Sequence, residues 1–408
     1  MANSVIWKYY KVTVVFGMFL SFHAWFTFSI NTFIAEAFIF FLGFAAFIRT
    51  PKNFKADNLN KKWYLLLCFA VFFTTTHKNL NGVIGAYWSI STVLFIFLLS
   101  SAAKEHLLNF SINVLGSVFA VSTTAWIFHL IGKDLPYTLI KFGESDIRDA
   151  YIYENHYLYL VNITNDAADL VSLFFERFSC IFLEPGYTGC LLSILLYLGG
   201  YKFNKQNWYN IVFFISLIFT LSLAGWLITA FGFFMHKIEF SKNRLKIFIA
   251  LLCFAIGFYV VVVNYNGGNN ILNYAIIERL TGNDEGTIVW NRGSNIESYF
   301  YDTFIHSDEK WFGTSKQNLL GPNDVDWKSY IVAFGLVGFI SYLLFLYFPI
   351  LKCKQHKFEL FTLASIYALI FVQTIASAFW MMYIVYIVLG VNRIRFYSRI
   401  NKNEVNRR

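Results

Sequence analysis

Leu107-Leu-Asn-Phe-Ser-Ile-Asn-Val-Leu-Gly-Ser-Val-Phe-Ala-Val-Ser-Thr-Thr-Ala-Trp-Ile-Phe-His-Leu-Ile131 contains no Asp, Glu, Lys or Arg. About 20 consecutive, mostly apolar residues suffice for a helix to cross the hydrocarbon core of a bilayer, and this run exceeds that. Extending the same reading in both directions gives spans near 7–28, 33–48, 63–77, 83–103, 107–131, 184–201, 208–221, 223–236, 247–264, 328–350, 358–377 and 379–394. The expected fold is an all-α polytopic membrane protein of about 12 transmembrane helices. The pair at 208–236 also reads as one helix kinked at Ala224-Gly225, but charge parity along the chain requires two.

Composition agrees with this fold. The chain has 408 residues, 57% hydrophobic and 14% charged, whereas soluble domains carry about 25% charged residues. That excludes an ordinary cytosolic enzyme. With 48 Phe and 5 Pro, disorder, collagen and Pro-rich linkers are excluded as well. The net charge of +9 is informative through its placement rather than its sum. Alternate connections hold Lys8/Lys11, then Arg49/Lys52/Lys55/Lys61/Lys62, Lys104, Lys202/Lys205, Lys237/Lys242/Arg244/Lys246, Lys352/Lys354/Lys357 and Arg393 to Arg408. They take about 23 of the 33 basic residues and place both termini on the cytoplasmic side. The first run, Trp7 to Phe28, is long enough to be an uncleaved first helix. The five cysteines, Cys68, Cys180, Cys190, Cys253 and Cys353, have no metal-site spacing, and nothing fixes a disulfide between Cys180 and Cys190.

These boundaries divide the chain into N-terminal helices (1–131), a first large outer loop (132–183), helices (184–264), a second large outer loop (265–327), and helices with a basic tail (328–408). Long loops in compact proteins usually carry function. The first loop contains the aromatic string Tyr151-Ile-Tyr153-Glu-Asn-His156-Tyr157-Leu-Tyr159, suited either to a membrane-interface belt or to stacking on sugars through Tyr157. The second contains Arg279, Trp290, Arg292, Tyr299, Tyr301, Asp302, His306, Trp311 and Lys328.

Arg177-Phe-Ser-Cys-Ile-Phe-Leu-Glu184-Pro185-Gly186 lies where the first loop re-enters the bilayer. Pro suits a first helical turn, so a helix is expected to start at Pro185 with Glu184 at its N-cap. Glu184 then has two readings, a plain cap or a proton-transfer carboxylate beside N–H groups that meet a phosphate. Arg177 is either a snorkelling anchor or a bidentate partner of phosphate or pyrophosphate, with Arg279 and Arg292 completing a cationic cradle. Asp324-Val-Asp326 is a weak acidic pattern, and no metal or other cofactor is assigned. His129 and His306 are lone histidines, more often structural than catalytic. There is no phosphate loop, nucleophile elbow, metalloprotease His pair or zinc spacing. His23 and Glu36 are the chief ionisable groups inside the spans, too few for a typical ion-coupled transporter.

The two outer loops carry a resemblance. Arg177...Phe182-Leu-Glu184-Pro185-Gly186, the outer-loop Arg292, Trp311-Phe312-Gly313, Asp326-Trp327-Lys328-Ser329-Tyr330 and Phe334-Gly335-Leu336-Val337-Gly338-Phe339 resemble the O-antigen polymerase (Wzy) family, within the polymerase and O-antigen ligase superfamily. The layout of many spans and two large periplasmic loops, each with an important Arg, covers essentially the whole chain. Where the ligase branch places His beside Asn, this chain reads Asp326-Trp327-Lys328, which favours a polymerase. The resemblance implies a glycosyl transfer at the periplasmic face of a bacterial inner membrane, joining undecaprenyl-pyrophosphate-linked repeat units into a polysaccharide. It implies pyrophosphate binding by Arg177, Arg279, Arg292 and Lys328, catalysis by Glu184 with Asp302 and His306 as the next candidates, and sugar stacking by Tyr157, Trp290 and Trp311. No cofactor and no nucleic acid are implied; partners are the lipid-linked units, inner-membrane lipids and a chain-length regulator protein. The competing readings are a ligase or a capsule or exopolysaccharide polymerase of the same superfamily, a polysaccharide flippase or transporter, and a eukaryotic multipass protein with a sequon at Asn162-Ile-Thr164.

Overall fold

Ser100 sets the start of the longest helix. Its extended backbone and its hydroxyl, which accepts from the Ala103 amide at 3.5 Å, make it an N-cap, so one helix ends at Phe97 and the next begins at Ser101. The computed structural model describes residues 5–22, 24–27, 30–49, 58–75, 80–133, 137–141, 152–156, 161–164, 177–204, 207–240, 244–270, 273, 277, 301, 303–314, 327–351, 357–373 and 383–389. In order, the helices are α1 (Val5–Ser21), α2 (Thr32–Ile48), α3 (Asn58–Thr74), α4 (Leu80–Phe97), α5 (Ser101–Leu130), α6 (Pro185–Leu198), α7 (Trp208–Thr220), α8 (Leu223–Phe240), α9 (Arg244–Asn264), α10 (Trp327–Tyr347), α11 (Lys357–Gln373) and α12 (Tyr383–Leu389). The helical class expected from composition stands. Among the described residues, Leu80–Phe97, Ser101–Leu130 and Phe334–Leu351 are long and apolar enough to cross a membrane, and Phe33–Ile48, Pro185–Leu198 and Trp208–Thr220 are shorter apolar helices.

Several boundaries differ from expectation for identifiable reasons. Lys104 was expected in a connection after a helix over 83–103. Because Ser100 caps first, Lys104 falls in the opening turn of α5, buried, with Nζ 5.2 Å from the Trp63 ring centroid and 5.6 Å from that of Phe97. The first helix stops at Ser21 rather than reaching Phe28: Ala24 forms an isolated bridge with Phe182, and the Trp25 amide donates to the Ile181 carbonyl at 2.9 Å. The first loop adds a small antiparallel sheet in the order β1 (Thr138–Lys141), β2 (Ile152–His156), β3 (Val161–Thr164), with Leu139 opposite Glu154 and Glu154 opposite Ile163. Part of the aromatic string is therefore a strand, as its β-branched and aromatic content allows. Residues 208–236 do form two helices, parted at Leu221 by a left-handed backbone (φ 47°).

Packing runs through small residues and paired hydroxyls. At the α6–α8 crossing a Cβ on Gly225 would stand 2.8 Å from the Gly189 Cα, so only glycine admits this approach. Ser193 Oγ donates to the Gly189 and Gly225 carbonyls, at 2.8 and 2.9 Å, and receives a bond from Thr229. Thr123 and Ser216 share a 2.7 Å bond between α5 and α7. On α3, Trp63 Nε1 donates to the Phe345 carbonyl of α10 at 2.9 Å. These side-chain bonds satisfy polar groups where no water competes. α10 is not one straight rod. Gly335 (φ 71°, ψ 173°) breaks it, and the backbone of Trp311 and Phe312 occupies the space a Cβ there would need.

Candidate functional site

The re-entrant stretch 177–184 is held from four sides. Phe178 N donates to the Phe219 carbonyl at 3.0 Å and Arg177 Nε to the Thr220 carbonyl at 3.2 Å, so both cap the carboxyl end of α7. Phe182 bridges Ala24 beyond α1. The Phe178 ring lies 5.8 Å from Trp126 near the end of α5, and Thr188 Oγ1 in α6 donates to the Ser179 carbonyl at 2.8 Å. Between these anchors Cys180 takes a left-handed backbone (φ 57°) and is buried. Burial pushes its thiol up to about 12, so it stays protonated; Cys180 and Cys190 are both free thiols.

Glu184 occupies the N-cap position expected of it, with Pro185 opening α6. Its carboxylate makes no cap bond to the helix, however. The half-buried side chain is thus turned to other partners, while Thr188 Oγ1 serves the Glu184 backbone carbonyl at 3.2 Å. Among the described residues there is open space around Gly186, with no heavy atom within 4 Å of where a Cβ would sit. The combination is a carboxylate, a guanidinium anchored on a helix end, and an amino-terminal helix turn open to a ligand.

His129 joins this group by a route the sequence did not single out. It sits three residues after Trp126 on α5, with ring centroids 5.3 Å apart, and Trp126 packs on Phe178. The signal was present as Trp-x-x-His in a last helical turn.

A second group forms on α10. Residues 303–314 wrap its first half: Phe304 packs with Ile331 and Val332, and the Thr314 amide donates to the Val332 carbonyl at 2.9 Å. This brings Trp311-Phe312-Gly313 against Gly335, two motifs far apart in sequence. Trp311 is 49% exposed with Lys310 Nζ 5.8 Å from its ring centroid, so its face is available as a stacking platform. His306 is exposed on the turn that follows 303–305. Lys328 lies in the opening turn of α10. Tyr157, Arg279, Trp290, Arg292, Asp302 and the Asp324-Val-Asp326 pair lie outside the described residues. Each group is anchored separately, the first through α5, α6 and α7 and the second through α10. Among the described residues no cluster of His, Cys, Asp and Glu is arranged to hold a metal ion. Compared with family models, with curated proteins and with solved structures, the chain finds no match.

Proposed function

We propose that this chain is an O-antigen polymerase, a membrane glycosyltransferase that joins undecaprenyl-pyrophosphate-linked repeat units at the periplasmic face of a bacterial inner membrane. The observation that carries the reading is the Glu184 carboxylate, placed at a helix start yet not used as its cap, on the same short stretch as Arg177. A carboxylate at a helix start that does not cap the helix is suited to take the proton of an attacking sugar hydroxyl. Arg177, steadied by the end of α7, and Arg292 would stabilise charge growing on the departing pyrophosphate. Arg279 and Lys328 extend the anionic subsite, and Asp302 and His306 stand next as bases. Pyrophosphate leaves readily, so two guanidinium groups meet the need for charge stabilisation. Trp311, Trp290 and Tyr157 would stack on the sugars.

Membrane embedding in about 12 spans with two periplasmic loops, and cytoplasmic termini, belongs to the same proposal. It is supported by the apolar exposure of Phe33, Phe38, Phe41, Ile256, Val261 and Leu344, a surface that water would not tolerate and lipid would solvate. The acceptor is one lipid-linked unit, and a chain-length regulator protein is the companion this reading implies.

The deciding experiment is the lipopolysaccharide banding pattern of a deletion strain complemented with wild type, Arg177→Ala or Arg292→Ala. Wild type restores a ladder, and each variant leaves a single-repeat band although the protein is inserted normally. A normal ladder from either variant removes that arginine from the mechanism. Loss of every O-antigen band in the deletion strain would indicate a ligase or flippase instead.

A further inference from the structure

Away from the outer loops, a second set of polar groups runs through the bundle where α1, α2, α4 and α12 meet. Glu36 on α2 is only 5% exposed, and its one hydrogen bond among the described residues comes from Ser89 Oγ of α4, 2.6 Å from Oε1. Trp88, beside Ser89 on α4, stacks on Phe33 (5.1 Å) and lies 5.7 Å from Phe40, the α2 residues about one turn either side of Glu36. One turn along α4, Thr92 Oγ1 bonds the Ser89 carbonyl at 2.7 Å and shares a 2.8 Å bond with the Tyr383 hydroxyl of α12. Tyr383 lies within electrostatic reach of both Glu36 and Tyr10. Tyr10 is 1% exposed, and its hydroxyl has no hydrogen-bond partner among the described residues. The Tyr10 ring packs by Gly43, two turns along α2 from Glu36.

A buried carboxylate with a single hydrogen bond is an uncompensated charge, and neither helix packed against α2 supplies a cation to it among the described residues. The titratable groups that face it are Tyr383 from α12 and, next in line, Tyr10 from α1. Binding a proton removes the charge without adding a ligand that needs a cage. Hydroxyls both donate and accept, so each can receive one proton and pass on another while staying neutral. We propose that Glu36 is a reversible proton-binding site inside the helix bundle, with the hydrogen-bonded hydroxyls of Thr92 and Tyr383 as the file through which that proton exchanges. This is a site separate from Arg177 and Glu184, and it stands or falls independently of the polymerase reading.

The test uses dicyclohexylcarbodiimide, which adds intact across the O–H of a protonated carboxyl in an apolar setting. The full-length protein, purified in detergent, is treated at a series of pH values, and modified peptides are located by mass spectrometry. The expected result is modification at Glu36, slowing as pH rises, and absent in Glu36→Gln. Tyr383→Phe, which keeps the ring and removes the hydroxyl, should change the labelling rate at least threefold while the protein elutes as a single species in size exclusion. An unmodified Glu36 in wild-type protein overturns the proposal whether or not the Gln variant folds. So does protection of Glu36 by added sodium at fixed pH, which would make the site a cation site. An unchanged rate in well-folded Tyr383→Phe removes the file.

Discussion

Glu184 shows how one backbone position can be anticipated while its chemistry is not. Pro185 marks the helix start, so the N-cap assignment followed from sequence; that the carboxylate makes no cap bond is set by its side-chain direction, which no local sequence signal carries. Losing a working cap costs about 0.5–2 kcal/mol. Glu184→Gln, which keeps the size and polarity of the side chain and involves no cap bond, is expected to hold stability within about 0.5 kcal/mol of wild type while abolishing the polymer ladder. Thermal unfolding in detergent alongside the banding pattern checks both halves. A clear drop in melting temperature with an intact ladder would make Glu184 structural. Lys104 is the reverse case: its charge suggested an exposed turn, and only the meeting of Trp63 and Phe97 from other helices reveals the aromatic box that buries it.

Among helices, the contrast is between lengths and crossings. Apolar runs and charge punctuation located the helices, because each run satisfies its own backbone, but not all of their ends: the first stops at Ser21 rather than Phe28, and the fourth at Phe97 rather than Ala103. Which helices touch, and at which residue, depends on the facing surface and is invisible to a single run. The α6–α8 seam is the example, where Gly189 and Gly225 meet backbone to backbone. Gly225→Leu should therefore force α6 and α8 apart, at a cost of about 1–3 kcal/mol or more, and reduce the yield of monodisperse protein. Gly186→Ala, at an open position on the same helix, is the control that should leave yield unchanged. Equal behaviour of the two variants would mean that the seam is not closely packed.

Considered entire, the molecule keeps two sets of chain ends apart. The start of α5 meets Trp63 and, through it, Phe345, whereas the far end meets Phe178 beside the end of α7. The contact residues Lys104 and Trp126 stand 22 residues apart on α5, which separates these clusters by about 33 Å. The charge pattern predicts opposite membrane faces for these same ends; the helices were legible in sequence because each apolar run satisfies its own backbone, whereas an arginine cradle assembled from distant loops has no such local signal. In a background with every cysteine replaced, Lys62→Cys and Lys202→Cys should react with a membrane-impermeant thiol reagent only after the inner membrane is opened. Lys133→Cys and Lys310→Cys should react in intact spheroplasts. The opposite pattern would invert the topology, and labelling of all four in intact spheroplasts would refute membrane embedding of the bundle.

The break at Gly335 binds two events into one. The Thr314 amide donates to the Val332 carbonyl within one turn of that break. Lifting the 303–314 segment breaks this bond, and the Trp311 backbone packs tightly against the glycine at the kink. Loop release and helix straightening therefore share a single coordinate, so that whatever docks on the exposed face of Trp311 is mechanically connected to the shape of α10.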